Sequence, residues 1–239
     1  MAGRLAERRD LDITLSLAGR TVLPASQPVP VRVGGFGGAA GLADHLVRER
    51  IDVLIDATHP YASGISANAI VAARKIGVPF VALRRAPWIA IAGDRWTAVG
   101  DAGEAVRAIG QTSRRVFVTL GRNELAPFVA APRHHYLIRS VDPVDPPLTL
   151  PHADYITARG PFAEADEREL LRQHAIEVVV AKNSGGAATY GKIAAARALG
   201  IGIIMLRRPT EPEAPAVETV DEAIAWLDHA LTSTTARGV

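Results

Sequence analysis

Short apolar runs, each followed by a longer amphipathic stretch, recur along the whole chain. The runs Asp12 to Leu15, Val29 to Val33, Val53 to Ile55, Phe80 to Leu83, Val116 to Leu120, Tyr136 to Ile138, Tyr155 to Thr157, Val178 to Ala181 and Ile203 to Leu206 have the length and the β-branched, aromatic and aliphatic content of buried strands. Between them, three-and-four spacing of apolar positions predicts helices over Ala39 to Glu49, Ala62 to Lys75, Ala102 to Ile109, Ala163 to Gln173, Thr189 to Leu199 and Val220 to Leu231. Alternation of this kind is the pattern of repeated β-α units feeding parallel sheets.

Part of the pattern repeats. "AARKIGVPFVALRR" from Ala72 and "AARALGIGIIMLRR" from Ala195 share Ala-Ala-Arg, a following Gly and the closing Leu-Arg-Arg. Upstream, "DVLIDATHPYA" answers "EVVVAKNSGGA"; downstream, "TAVGDAGEAV" answers "VETVDEAIAW". An echo across a whole β-α-β-α passage points to two related domains. The expected fold is therefore α/β: two Rossmann-like three-layer domains with parallel sheets, residues 1–112 and 113–239, joined near Gly110 to Arg115, with a ligand cleft between them.

Composition narrows the function. The chain has 239 residues and a formal net charge of +2, with 27 Lys and Arg and only 5% aromatics, so it lacks the dense basic, aromatic-laced surface of a nucleic-acid binder. No apolar run reaches the ~20 residues needed to span a bilayer, and "MAGRLAERRDLD" has charges where a secretory signal needs its apolar centre. The expectation is a soluble, cytoplasmic protein, a monomer or weak homo-oligomer. Cysteine is absent and the histidines lack ligand spacing, so no metal is expected.

In open α/β sheets, ligands lie beyond the carboxyl ends of the strands, and the candidate chemistry falls there. "SLAGRT" brings Ser16, Gly19 and Arg20 to the position that contacts an adenosine ribose, where Ser and Arg suit a 2′-phosphate. "VGGFGG" supplies Gly34, Gly35 and Phe36 at a strand-to-helix turn open to close ligand approach. "DATHPYA" ends a strand in Asp56, Ala57, Thr58, His59 and Tyr61, more donors and acceptors than a plain turn needs. "AKNSGGAATYGKI" places Lys182, Asn183, Ser184, Gly185, Gly186, Thr189 and Lys192 in one β-α turn, a set suited to a carboxylate or phosphate but without Walker A spacing. Arg84, Arg85, Arg139, Arg207 and Arg208 stand near other strand ends, as do "LGRNEL" and "ARGPF".

"SLAGRT", "GGFGG", "DATHPYA", "ALRRAPW", "LGRNEL", "ARGPF" and "AKNSGGAATYGKI", in this order from Asp12 to Leu231, resemble the precorrin-6A reductase family of cobalamin biosynthesis. The resemblance implies an NADPH-dependent oxidoreductase that reduces a double bond of the macrocyclic polycarboxylate precorrin-6A to give precorrin-6B. It places NADPH on Ser16, Gly19, Arg20, Gly34, Gly35, Phe36, Asp56, Ala57 and Thr58. The substrate would lie on Arg84, Arg139, Asn183, Ser184, Gly185, Gly186, Thr189, Lys192 and Arg207, with His59, Tyr61 and Lys182 as candidate proton donors. A cobalt-precorrin-6A reductase and a non-catalytic tetrapyrrole- or nucleotide-binding module are the alternatives. Members of the family begin with a strand running into a Gly-Gly-Thr-x-Glu-Ala turn, and against that pattern "MAGRLAERRDLD" reads as the end of the first helix, with the first strand and its phosphate loop missing.

A charge-assisted contact contributes about 1.5 to 3 kcal/mol. Arg20→Ala is therefore expected to weaken NADPH binding by tenfold or more while leaving NADH nearly unchanged, as read by titration of cofactor fluorescence. Equal losses for the two cofactors would remove the phosphate role from Arg20.

Overall fold

The computed structural model describes residues 1–19 and 24–235. It is a mixed α/β protein whose strands all pair in parallel. The chain runs α1 (Ala2–Leu5), β1 (Leu15–Leu17), β2 (Val31–Val33), α2 (Gly38–Arg48), β3 (Leu54–Asp56), α3 (Ser63–Ile76) and β4 (Phe80–Leu83). It continues through β5 (Trp96–Val99), α4 (Ala102–Ile109) and β6 (Arg115–Thr119) to two short 3-10 turns at Arg122–Glu124 and Ala126–Ala130. Then come β7 (His135–Ser140), β8 (Ala153–Thr157), α5 (Glu164–Gln173), β9 (Val178–Lys182), α6 (Gly191–Ala198), β10 (Gly202–Leu206), β11 (Ala216–Val217) and α7 (Val220–Thr235). No described helix is long and apolar enough to cross a membrane.

The chain forms two compact units, Met1–Arg85 with Thr210–Val239, and Ala86–Pro209. This corrects the expected division into 1–112 and 113–239. The reason lies in two short strands that the apolar pattern did not reveal. β5 pairs with β10 in the second unit, Trp96 beside Ile203 and Val99 beside Leu206. β11 pairs with β4 in the first, Ala216 beside Ala82 and Val217 beside Leu83. The two echoing segments, β5-α4 and β11-α7, are thus exchanged, each completing the sheet of the other repeat.

The second unit is one six-stranded sheet in the order β5-β10-β9-β6-β7-β8. Its central strands are buried without a break: Val116, Phe117 and Val118 on β6, Val178 to Ala181 on β9 and Ile203 to Leu206 on β10. Since side chains alternate across a strand, a continuous buried run means that both faces are covered. Phe117, Val179, Ala181, Ile203 and Met205 pack with Leu171 of α5 and Ile193, Ala195 and Ala196 of α6. The alternate positions face the opposite side, where α4 contacts β5, β10 and the second 3-10 turn. α4 starts at Asp101, whose carboxylate accepts the Glu104 amide at 2.7 Å while the Glu104 carboxylate accepts the Gly100 amide at 2.7 Å, a reciprocal cap.

The first unit holds two smaller sheets, β1-β2 and β11-β4-β3. Leu42, Ala43 and Leu46 of α2 meet Ala69 and Ala72 of α3 in its core, and Arg4 and Arg8 pair with Asp221 and Asp228 of α7. Val31 and Val33 on β2 remain 41% and 56% exposed, so this ribbon is the less covered part of the unit. The expected first strand is found slightly later than read, at Leu15–Leu17 rather than Asp12 to Leu15.

The exchange of β5-α4 and β11-α7 has a direct consequence. Residues 86–209 are expected to unfold cooperatively as an isolated fragment, whereas 113–239 loses the β5 partner of β10 and carries β11-α7 with no sheet to join. A urea transition in the second fragment matching that of the first would contradict the exchange.

Candidate active site

In the first unit the candidate residues gather at the carboxyl ends of β1, β2 and β3. Ser16 on β1 stands directly beside Arg32 on β2. Arg32 donates from Nη1 to the Gly34 carbonyl at 2.6 Å and from Nη2 to the Gly35 carbonyl at 2.9 Å; Nη1 also lies 3.4 Å from Ser16 Oγ. Its guanidinium sits 3.8 Å above the Phe36 ring. One cation thus ties together Ser16, Gly34, Gly35 and Phe36, yet "VRV" reads only as a strand and gave no sign of it. Gly34 adopts φ +125°, and neither it nor Gly35 has an atom within 4 Å of where a Cβ would stand, so the backbone there is open to a ligand. Gly19 adopts φ +74° and lies against Val33 and Gly34; Arg20 lies outside the described residues.

At the end of β3, Asp56 is buried and its carboxylate accepts the Thr58 amide at 3.0 Å, an Asx turn that carries Ala57 and Thr58 outward. Thr58 Oγ1 is 3.1 Å from Ser66 Oγ on α3. His59 Nδ1 accepts the Tyr61 amide at 3.3 Å, so the neutral ring carries its proton on Nε2; the His59 and Tyr61 rings are 5.6 Å apart. His59 is exposed. Arg84 turns elsewhere: it pairs with Glu211 at 3.2 Å and donates to the Pro212 carbonyl at 2.8 Å, fastening the returning segment to β4.

In the second unit the turn after β9 is held on both sides. Asn183 Oδ1 accepts the Trp88 amide at 2.8 Å and Asn183 Nδ2 donates to the Trp88 carbonyl at 2.9 Å; the Trp88 indole N–H donates to the Gly186 carbonyl at 2.9 Å. Arg208 donates to the Asn183 carbonyl at 2.8 Å. Gly185 has φ +66°, and a Cβ there would collide with the Ala86 carbonyl oxygen and the Arg208 guanidinium. Asn183 is therefore a clamp on the Ala86–Trp88 segment, and Gly185 is required by close approach. Ser184 Oγ and Thr189 Oγ1 are 3.4 Å apart. Beside the turn, Trp88, Phe162, Gly186, Tyr190, Ala194 and Arg197 line a largely apolar hollow of ≈ 640 Å³.

Three cations expected at the site, Lys182 as a proton donor and Arg139 and Lys192 as substrate contacts, have partners within the protein. Lys182 pairs with Glu124 at 2.5 Å, and Glu124 also accepts the Gly121 amide at 2.9 Å, so "LGRNEL" supplies an anion that the sequence reading did not single out. Arg139 is buried and bidentate with Glu167 at 2.5 and 2.7 Å, its guanidinium 3.8 Å over Phe162. This makes it a core ion pair, a correction to the substrate contact expected of it. Lys192 is 5% exposed, with Nζ donating to the Thr189 carbonyl at 2.7 Å and 5.2 Å from the Trp88 ring. It supports the turn from behind, again a correction. Burial, and secondarily Arg139, pushes its amine down to about 8, with Glu167 acting weakly in the other direction. Arg207 is exposed at the end of β10.

Parallel strands whose carboxyl ends carry glycine turns, a hydroxyl-and-imidazole turn and several cations define an α/β ligand-binding protein of the Rossmann-like class. Residues 1–228 match the model of the family described as Precorrin-6x reductase CbiJ/CobK, and the chain belongs to that family. It is 56% identical over 229 residues to a precorrin-6A reductase of Sinorhizobium sp, covering 96% of this chain and 88% of the relative. It is 48% identical over 235 residues to a precorrin-6A reductase of Rhodobacter capsulatus, covering 97% and 94%. Among solved structures it matches the CobK precorrin-6A reductase with a TM-score of 0.90 and 48% identity, over 95% of this chain and 92% of that one.

The lowered Lys192 amine makes stability depend on pH. Between pH 8 and its ordinary value of 10.5 the unfolded chain keeps a proton that the folded chain has shed, so stability from this group rises with pH through that window. Lys192→Met is expected to be at least as stable as the parent at pH 7 and to lose the rise between pH 8 and 10.5. Paired urea unfolding curves across that range check it, and parallel curves for the two proteins would contradict it.

Proposed function

We propose that the chain is a cytoplasmic, NADPH-dependent reductase of precorrin-6A that forms precorrin-6B. The observation that carries this reading is 56% identity across 96% of the chain to a protein named precorrin-6A reductase. The site chemistry supports it. Open backbone at Gly34 and Gly35, the Ser16 hydroxyl and the Asp56 to Thr58 turn suit a dinucleotide whose phosphates and ribose need amides, hydroxyls and close approach. When bound, the nicotinamide supplies a hydride equivalent, and the protein's part is orientation, water exclusion and proton delivery.

Reduction of a double bond adds hydride to one atom and a proton to the other. We assign His59 to orienting the bond that takes the proton, or to delivering that proton once its own ring is protonated, because the Tyr61 amide holds the neutral ring in the tautomer that carries its proton on Nε2. Tyr61 stands beside it as part of the same turn, and Lys182, paired with Glu124, is a further group able to donate. In the second unit, Ser184, Thr189, the turn amides and exposed Arg207 receive substrate carboxylates, while the Trp88 hollow suits the flat apolar part of a tetrapyrrole.

The decisive experiment follows NADPH oxidation with precorrin-6A and identifies the product, with NADH and cobalt-precorrin-6A as the comparison arms. The expected outcome is oxidation with metal-free precorrin-6A and NADPH; no turnover under these conditions would overturn the reading. His59→Ala is expected to lower kcat tenfold or more with little change in KM, as general acid contributions of about 10²- to 10⁴-fold allow. Parent kinetics in this variant would leave His59 as a turn residue only.

A further inference from the structure

We propose that Arg32 is a cation of the adenosine 2′-phosphate site and thereby a determinant of NADPH over NADH. The inference rests on the cofactor reading above and on the placement of Ser16 at that phosphate.

The geometry begins with register. Ser16 and Arg32 are direct cross-strand partners, and partners in a parallel ribbon project to the same side, so a group that reaches Ser16 lies within reach of Arg32. The Nη1 to Ser16 Oγ distance of 3.4 Å shows the two side chains already adjacent.

The second point is charge. Arg84 is paired with Glu211, Arg139 with Glu167 and Lys182 with Glu124. Arg32 differs. Its acceptors are the Gly34 and Gly35 carbonyls and the Ser16 hydroxyl, all neutral, and no carboxylate forms an ion pair with it among the described residues. These bonds and the Phe36 ring hold the guanidinium in place without cancelling its charge. A guanidinium has five N–H donors, and the three contacts leave two for an added anion. A fixed, uncompensated cation at a ligand-facing strand end recognises phosphate at small ordering cost.

The third point is that the same bonds shape the loop. Arg32 fixes the Gly34 and Gly35 carbonyls by hydrogen bonds, while the space where a Cβ would stand at either glycine stays open. A purely structural role would affect NADPH and NADH alike, whereas a phosphate contact acts on NADPH alone.

The test is isothermal titration of the intact protein and of Arg32→Met and Arg32→Lys with NADPH, NADH, adenosine 2′,5′-bisphosphate and 5′-AMP, with thermal melting to confirm that each variant folds. Arg32→Met is expected to weaken NADPH and the bisphosphate by roughly tenfold to a hundredfold and to change NADH and 5′-AMP by no more than about twofold. Arg32→Lys, which keeps the charge but not the fork, should retain an intermediate share of the discrimination. Equal losses for NADPH and NADH, or discrimination unchanged in Arg32→Met, overturn this inference and leave the cofactor reading standing. A parent protein that binds NADPH and NADH equally overturns the cofactor reading and the inference together.

Discussion

Parallel pairing of two short strands organises this molecule. β5 pairs along one side of β10, and β11 pairs along one side of β4. Each pairing is four residues or fewer, yet each commits a following helix, α4 or α7, to the same unit. The chain therefore leaves the first unit after Arg85 and returns to it at Thr210. Had β5 paired with β4, the two halves would have been sequential domains, as the echo between them suggests at first sight. Parallel strands need a crossover rather than a tight turn, and a crossover can end in either sheet.

The same crossing segments meet candidate site residues. Ala86 to Trp88 follows β4 directly, and its backbone is gripped by Asn183 while its indole N–H reaches Gly186. Arg84 ties the returning residues Glu211 and Pro212 to the end of β4. Residues with the look of ligand-binding cations and amides are thus partly spent on fastening the crossings. A long side chain at a strand end can do either task, and its partner decides which: a buried carboxylate for Arg139, neutral carbonyls for Arg32.

The second unit's turn shows how tightly these demands interlock. Gly185 is needed because the Ala86 carbonyl and Arg208 occupy the space of a Cβ. Lys192 lies beneath, a desolvated amine whose charge is unfavourable in the fold but whose reach to the Thr189 carbonyl and the Trp88 ring shapes the helix entry. Glu124 adds an anion from the neighbouring β6 end, so that Lys182 stands as half of a pair.

By itself the sequence determined the α/β class, the parallel strands and most helices, and it pointed to the strand ends as the place for chemistry. These depend on local periodicity and on turn residues such as Gly34 and Gly185, whose constraints are written within a few positions. It also carried the family resemblance, through motifs that stay together in the chain. The exchange of β5-α4 and β11-α7 was decided only by the tertiary structure, since strand pairing is a long-range choice and both destinations offer similar apolar edges. So too were the partners of the charged residues. Periodicity marks Arg139 and Arg32 alike as polar positions on strands, but Glu167 and Ser16 reach them from 28 and 16 residues away. Whether such a charge is cancelled, buried or left facing a ligand depends on which elements pack together, and no local pattern contains that.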